Sequence, residues 1–237
     1  MSQITTVSFF KLSGFKRMWW AFTQMQLGIS RLDQVNGLEF FKLMGSGSGN
    51  GFSILPNFST YVLLCVWESE AHAVDFFEKN AFFKEYQANS DEQFNVFASA
   101  AVSHGYWEGK QPFNTTEELD KDSPVMVLTR GSIKKSKLIS FWRRVNRVSE
   151  NLSQYEGSLM SIGVGEWPLI QQATLSLWKS KDEMMHFAYK NEKHQRVIKL
   201  TRKLNWYQEE LFARFKPYKF EGRWNGRDMK NFIAAKN

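Results

Sequence analysis

Runs in which apolar side chains alternate with polar ones, or follow one another almost unbroken, recur along the chain at VSFFKL, GLEFFKLMG, YVLLCVW and QFNVFASAAVSHGYW. They recur again at VMVLTRGSI, SLMSIGVG, ATLSLW and ELFARFKPYKFEGRW. Their richness in β-branched and aromatic residues predicts eight strands. FKRMWWAFTQMQLGIS and KLISFWRRVNRVSENLS instead place apolar residues three and four apart, the spacing of a helix with one buried face. Two more helices are predicted after WESE and WKSKDE, with Ser69 and Ser180 as N-caps and acidic residues in the first turn. The order is strand, helix, strand, strand, helix, strand, and it occurs twice.

The second half repeats the first in detail. Trp67 and Trp178 stand 111 positions apart, as do Phe76 and Phe187. GYWEG (105–109) is matched by GRWNG (222–226), and GLEFFKLMGSG (37–47) by GSLMSIGVG (157–165). A βαββαβ unit is the ferredoxin-like arrangement, an antiparallel sheet with both helices on one face. Its other face needs cover, and a second copy provides it. The predicted fold is therefore α+β: two fused ferredoxin-like repeats forming a dimeric-type α/β barrel within one chain. Residues 1–113 make the first repeat, the polar stretch 114–125 a linker, and 126–237 the second repeat. At the offset of 111, Phe83 is matched by a histidine, His194.

Composition narrows the chemistry. No apolar run approaches the roughly 20 residues that span a bilayer, and the N-terminus lacks the pattern of a signal peptide, so a cytoplasmic protein is expected. The lone cysteine, Cys65, sits in an apolar strand, where an inert buried thiol is the expected state. Charge divides unevenly at Pro124, −5 before it and +12 after it. The basic half suits an anionic membrane surface, an acidic electron-transfer protein or the carboxylates of a cofactor. FWRRVNR mixes aromatic and basic residues as RNA-binding segments do. At helical spacing, however, Phe141, Trp142 and Val145 form a packed face bordered by Arg143, Arg144 and Arg147, and no nucleic acid partner is expected.

The chain holds no phosphate loop, dinucleotide fingerprint or HExxH. GSGSGNG (45–51) lies between strands and reads as a hairpin loop. Of the four histidines, His72 and His186 are expected at exposed or edge positions. His104 shares alternation with Ala98, Ala100 and Val102, which aims it into the barrel. His194 lies seven residues after Phe187, on nearly the same helical face, beside Val197 and Ile198. An imidazole on an apolar stripe needs a partner, either a carbonyl or a metal.

SFFKLSGFKRMWWAFTQM, GLEFFKLMGSGSGNGFSILPN, LTRGSIKKSKLISFWRR, IGVGEWPLIQQATLSLW and WYQEELFARFKPYKFEGRWNG, in this order and spacing, resemble the spheroidene monooxygenases of carotenoid biosynthesis over nearly the whole chain. The resemblance implies a heme-containing oxygenase that inserts oxygen near the end of an acyclic carotenoid such as spheroidene. The electrons would come from a ferredoxin-type donor, and the protein would sit peripherally on the inner membrane face. It implies His194, in NEKHQR, as ligand of the heme iron, with His104 next in line, and Arg143 and Arg144 as contacts for the heme propionates. It also implies Trp142, Trp167 and Phe187 as walls of a cavity enclosed by the barrel. A cofactor-free or non-heme monooxygenase of the antibiotic-biosynthesis type, and a non-catalytic heme- or lipid-binding module, are the competing readings.

Overall fold

The computed structural model describes residues 2–48, 55–145, 155–167, 169–190, 200–201 and 203–230. The chain runs β1 (Ile4–Lys11), α1 (Phe15–Leu32), β2 (Leu38–Gly47), β3 (Pro56–Trp67), α2 (Glu70–Lys79), α3 (Ala81–Asn89) and β4 (Glu92–Gly105). It continues with β5 (Val125–Ile133), a 3-10 turn (Lys135–Lys137) leading into α4 (Leu138–Val145), β6 (Ser158–Gly165), β7 (Gln171–Trp178), α5 (Lys181–Lys190), β8 (Tyr207–Trp224) and a short β9 (Arg227–Asp228). The first eight strands pair antiparallel in the order β4-β1-β3-β2-β6-β7-β5-β8, and pairing of β4 with β8 closes the barrel. The described helices lie outside it.

The strands of the first half bury both faces, which is why several read as nearly unbroken apolar runs. The inner face carries Val7, Phe9, Val62, Leu64, Val96, Leu128, Leu175, Ala213 and Phe215 in one core. The outer face of the first half packs Phe10, Leu63, Cys65, Trp67 and Phe97 against α1, α2 and α3. Gly28 of α1 allows the closest helix contact, since a Cβ there would stand 2.6 Å from the Phe82 ring of α3. The helical segment after β3 breaks at Asn80, whose extended backbone starts α3 and whose side chain accepts from the N–H groups of Phe82 and Phe83. Ser180 caps α5 by accepting from the Glu183 N–H, as expected. Ser69 makes no such bond and pairs with His72 Nδ1 at 3.0 Å.

An enclosed cavity for a macrocycle is not what the barrel interior provides. Eight strands leave a lumen just wide enough for side chains, and the gap between Phe9, Phe94, Met126 and Leu175 is only about 10 Å³. Trp107 and Trp224, both buried, belong to the same interior core. Each sits in a turn clasped from the other half. Glu209 accepts from the N–H groups of Glu108 and Gly109, and Glu92 accepts from those of Asn225 and Gly226, all at 2.7–2.8 Å. Glu108 and Asn225 both take positive φ, 53° and 50°. Gly105 and Gly222 open these turns at φ 92° and 94°, where a Cβ would stand 2.1 Å from a backbone oxygen of the facing strand. The matching sequence motifs thus make matching turns.

Candidate functional site

The strand registers set up a position-by-position correspondence between the halves. Ile4 faces Trp67 as Val125 faces Trp178, so Phe10 corresponds to Gly131, Leu63 to Thr174 and Cys65 to Ser176. Leu38 faces Trp67 as Ser158 faces Trp178, with the same register shift, so Phe41 corresponds to Ser161 and Leu43 to Gly163. These positions all lie on the outer face. In the first half they are mostly large and apolar; in the second they are glycine, serine or threonine, of which Gly131, Gly163 and Ser176 are also buried. Ser8 is 1 % exposed, whereas its counterpart Thr129, in the middle of β5, is exposed to solvent.

Two apolar clusters flank this cleared floor. One joins Val125, Val127, Trp178, Met184 and Phe187; the other joins Ile133, Phe141, Trp142 and Trp206. Gly131 admits the Tyr207 ring, which would lie 2.5 Å from a Cβ, and burial pushes the Tyr207 hydroxyl up to about 12. It remains a proton donor at neutral pH. Arg214, on the outer face of β8 opposite Val127, stands over the Phe212 ring at 5.0 Å, and its buried Nε has no hydrogen-bond partner among the described residues. Such a guanidinium N–H is a donor suited to a carboxylate.

A second feature adjoins the floor. The barrel closes firmly on one side, where β4 and β8 pair from Phe94 to Gly105, whereas among the described residues the β2–β6 seam pairs Gly45 with Gly165 and Ser46 with Val164. At this seam lies a cleft of about 160 Å³ lined by Phe22, Met25, Phe58, Tyr61, Leu169 and Gln172 among others. Tyr61 Oη, on the outer face of the sheet, and Ser46 Oγ, on a residue paired with Val164 of the inner core, are both buried without hydrogen-bond partners among the described residues. The Tyr61 hydroxyl is pushed up to about 12 by burial. Glu166 also lines the cleft, but Lys42 at 2.7 Å and the Trp107 indole N–H at 2.8 Å engage its carboxylate.

The residues expected from sequence are scattered relative to these features. His194 lies outside the described residues. His104 does not point inward: an irregularity between Ala100 and Val102 breaks the alternation, and His104 is exposed opposite Phe212. Trp142 and Phe187 are buried in the two flanking clusters, not in the lumen, and Trp142 donates to the Leu169 carbonyl at 3.0 Å. Trp167 is 66 % exposed in the β6–β7 turn. Arg143 is exposed on α4, which also contains Arg144. Among the described residues no group of three or more His, Cys, Asp or Glu is placed to hold a metal ion. Cys65 is fully buried and its thiol is pushed well up by desolvation, as an inert thiol should be. Sequence reading missed Tyr61, Ser46 and Arg214. The cleared floor was present in the repeat as large-to-small exchanges, but only the strand registers assign them to one face.

No protein-family model matches the chain. Among solved structures, an aldoxime dehydratase superposes with a TM-score of 0.61 at 10% identity, covering 91% of this chain and 81% of that one. An aldoxime dehydratase in complex with butyraldoxime gives 0.59 at 10%, covering 98% and 84%. The fold class is thus an α+β barrel, closed and antiparallel. The curated spheroidene monooxygenase of Rhodobacter capsulatus is 33% identical over 227 residues, 95% of this chain and 94% of that protein. Those of Cereibacter sphaeroides and Rubrivivax gelatinosus are 32% and 31% identical, over 95% and 88% of this chain and 70% and 80% of theirs. The chain belongs to the spheroidene monooxygenase family.

Proposed function

We propose that this protein is a heme-dependent monooxygenase that inserts oxygen near the end of an acyclic carotenoid such as spheroidene, drawing electrons from a ferredoxin-type donor. The observation that carries the cofactor reading is the cleared outer face of β5, β6 and β7, set against its filled counterpart in the first half. The common strand orders, β4-β1-β3-β2 and β8-β5-β7-β6, support two fused ferredoxin-like repeats, of which one has been emptied to take a prosthetic group. Phe83, the sequence counterpart of His194, lies on the outer face of the first sheet against Phe10, ring centroids 5.9 Å apart. Asn80, which caps the helix of Phe83, has a counterpart in Asn191, three residues before His194.

On this reading His194 holds the iron through a neutral imidazole. Arg214 pairs with the propionates, joined by Arg143 and Arg144 as the family resemblance implies. When bound, the heme supplies the reductive activation of O₂: two electrons and two protons per turnover convert a C–H bond to C–OH and release one water. A second turnover at the same carbon gives a geminal diol, which loses water to become a ketone. The protein contributes a dry, apolar surround from the two flanking clusters and holds the polyene in register with the cofactor. The net positive second half favours an acidic reductase and an anionic membrane surface from which the carotenoid is drawn.

Absorption of freshly purified protein tests the reading. A Soret band is expected, and His194→Ala should give a folded protein with little heme and no oxygenase activity, with heme binding restored in part by added imidazole. A colourless protein that still turns over carotenoid with O₂ would favour the cofactor-free oxygenase, and an unchanged Soret band in the variant would move the ligand elsewhere.

A further inference from the structure

We propose that the outward face of α1, continued across the β2–β6 seam onto α4, is the surface by which this protein docks on an anionic lipid bilayer. Phe15, Trp19 and Phe22 would sit at the level of the headgroups, with Lys135, Lys137 and Arg143 against the phosphates. A helix laid on a sheet buries one apolar stripe and turns polar residues outward. α1 buries Ala21, Gly28 and Leu32, but its other face carries Phe15, Trp19, Phe22, Gln26 and Ile29, all exposed. Alternate steps of four and three residues keep these five within an arc of about 80° along a length of about 21 Å. Phe15 is 76% exposed and Trp19 58%. The rings touch in sequence, Phe15 to Trp19 at 6.4 Å, Trp19 to Phe22 at 5.7 Å and Phe22 to Phe58 at 5.5 Å.

The apolar surface continues over the seam. Phe22 and Phe58 share the lining of the cleft with Leu169. Trp167, two residues before Leu169, is exposed, and the Leu169 carbonyl holds the Trp142 indole of α4, on which Ile139 stands 74% exposed. Exposed aromatic and aliphatic groups on this scale mark an interaction surface. Charge decides what covers it. The chain has 24 Asp and Glu, yet α1 holds none against three Lys and Arg, and residues 134–145, which lead into and form α4, hold none against five. Glu166, the carboxylate in the cleft lining, is neutralised by Lys42. Lys16, Lys135 and Arg143 are exposed. Two copies joined by this face about a two-fold axis would set these cations against each other. Exposed Trp and Phe bordered by Lys and Arg instead have the composition of a helix lying in the plane of a membrane interface, and anionic headgroups complement the border.

Why a membrane would be visited rests on the function proposed above; the surface and its chemistry do not. Binding is measured with the full chain by flotation on vesicles of equal parts phosphatidylglycerol and phosphatidylcholine, free of carotenoid. Phe15→Ser with Trp19→Ser should weaken binding about tenfold or more and should unfold at the wild-type temperature, since neither ring belongs to a core cluster. Lys135→Gln with Lys137→Gln should weaken it about three- to tenfold and flatten its salt dependence. Lys121→Gln with Lys179→Gln removes the same charge at the opposite end of the second sheet, where Lys179 follows β7 and the Lys121 carbonyl accepts from the Asp182 N–H. That pair should change binding by less than about twofold. Absence of flotation would overturn the surface. So would equal losses in the two lysine pairs with full binding in the aromatic variant, which would mean diffuse attraction by net charge. A dimer that the aromatic variant converts to monomer, with vesicle binding unchanged, would assign the face to a second copy and overturn the lipid. A protein with a Soret band and turnover but no flotation would lose this surface alone, whereas a colourless, inactive protein that floats as expected would keep it and lose the proposed function.

Discussion

Glu92 and Glu209 show how one side chain type serves one geometry twice. Desolvation pushes both carboxyls up, but the N–H groups of the clasped turns, with Lys11 beside Glu92 and Arg130 beside Glu209, outweigh it and hold both below the usual carboxylate range. A carboxyl whose pKa is lowered by folding stabilises the fold fully above its unfolded value, and that contribution is lost as pH falls through the folded value. The unfolding temperature should therefore drop on acidification below about pH 4.5. Glu92→Gln with Glu209→Gln should unfold at a lower temperature at neutral pH and show a shallower drop in acid; a double variant as acid-sensitive as wild type would contradict the clasp.

At the scale of elements, the helix layer of the first half is welded to its sheet by aromatic side chains. Phe83 of α3 touches Phe10, Phe76 and Phe77, with ring centroids 4.4–5.9 Å apart. Removing that ring leaves a cavity that rigid neighbours cannot close. Phe83→Ala should destabilise the protein by about 3–5 kcal/mol in denaturant unfolding and, on the heme reading proposed above, leave heme binding unchanged. A loss of heme with stability retained would mean that the first half, not the second, carries the cofactor face.

For the molecule as a whole, closure is the organising fact. Each half covers the other's inner sheet face, and each clasps the other's terminal turn. Cutting the connection within 114–125 should therefore leave the two pieces associated through gel filtration, and neither should be soluble alone. A monomeric 1–113 fragment with cooperative unfolding would contradict two halves that depend on each other. None of the described helices is long and apolar enough to cross a membrane. Phe15, Trp19 and Phe22 form an exposed aromatic ladder along α1, a surface that suits the lipid-borne substrate proposed above.

The order of the described elements and the matching GYWEG and GRWNG motifs were legible in the sequence, because periodicity and local motifs survive without coordinates. So was the inert character of Cys65. The outward aim of His104 was not, because one irregularity in a strand inverts every side chain after it. Nor was the filled lumen, which depends on how eight strands close. The absence of partners for Tyr61 Oη and Ser46 Oγ among the described residues was equally hidden, since a hydroxyl's hydrogen bonding depends on groups that only the folded chain brings close. Sequence determined which elements exist and in what order, because their periodicity is local. Tertiary structure alone decided how eight strands close and which side chains each face presents, because register is set between strands distant in the chain.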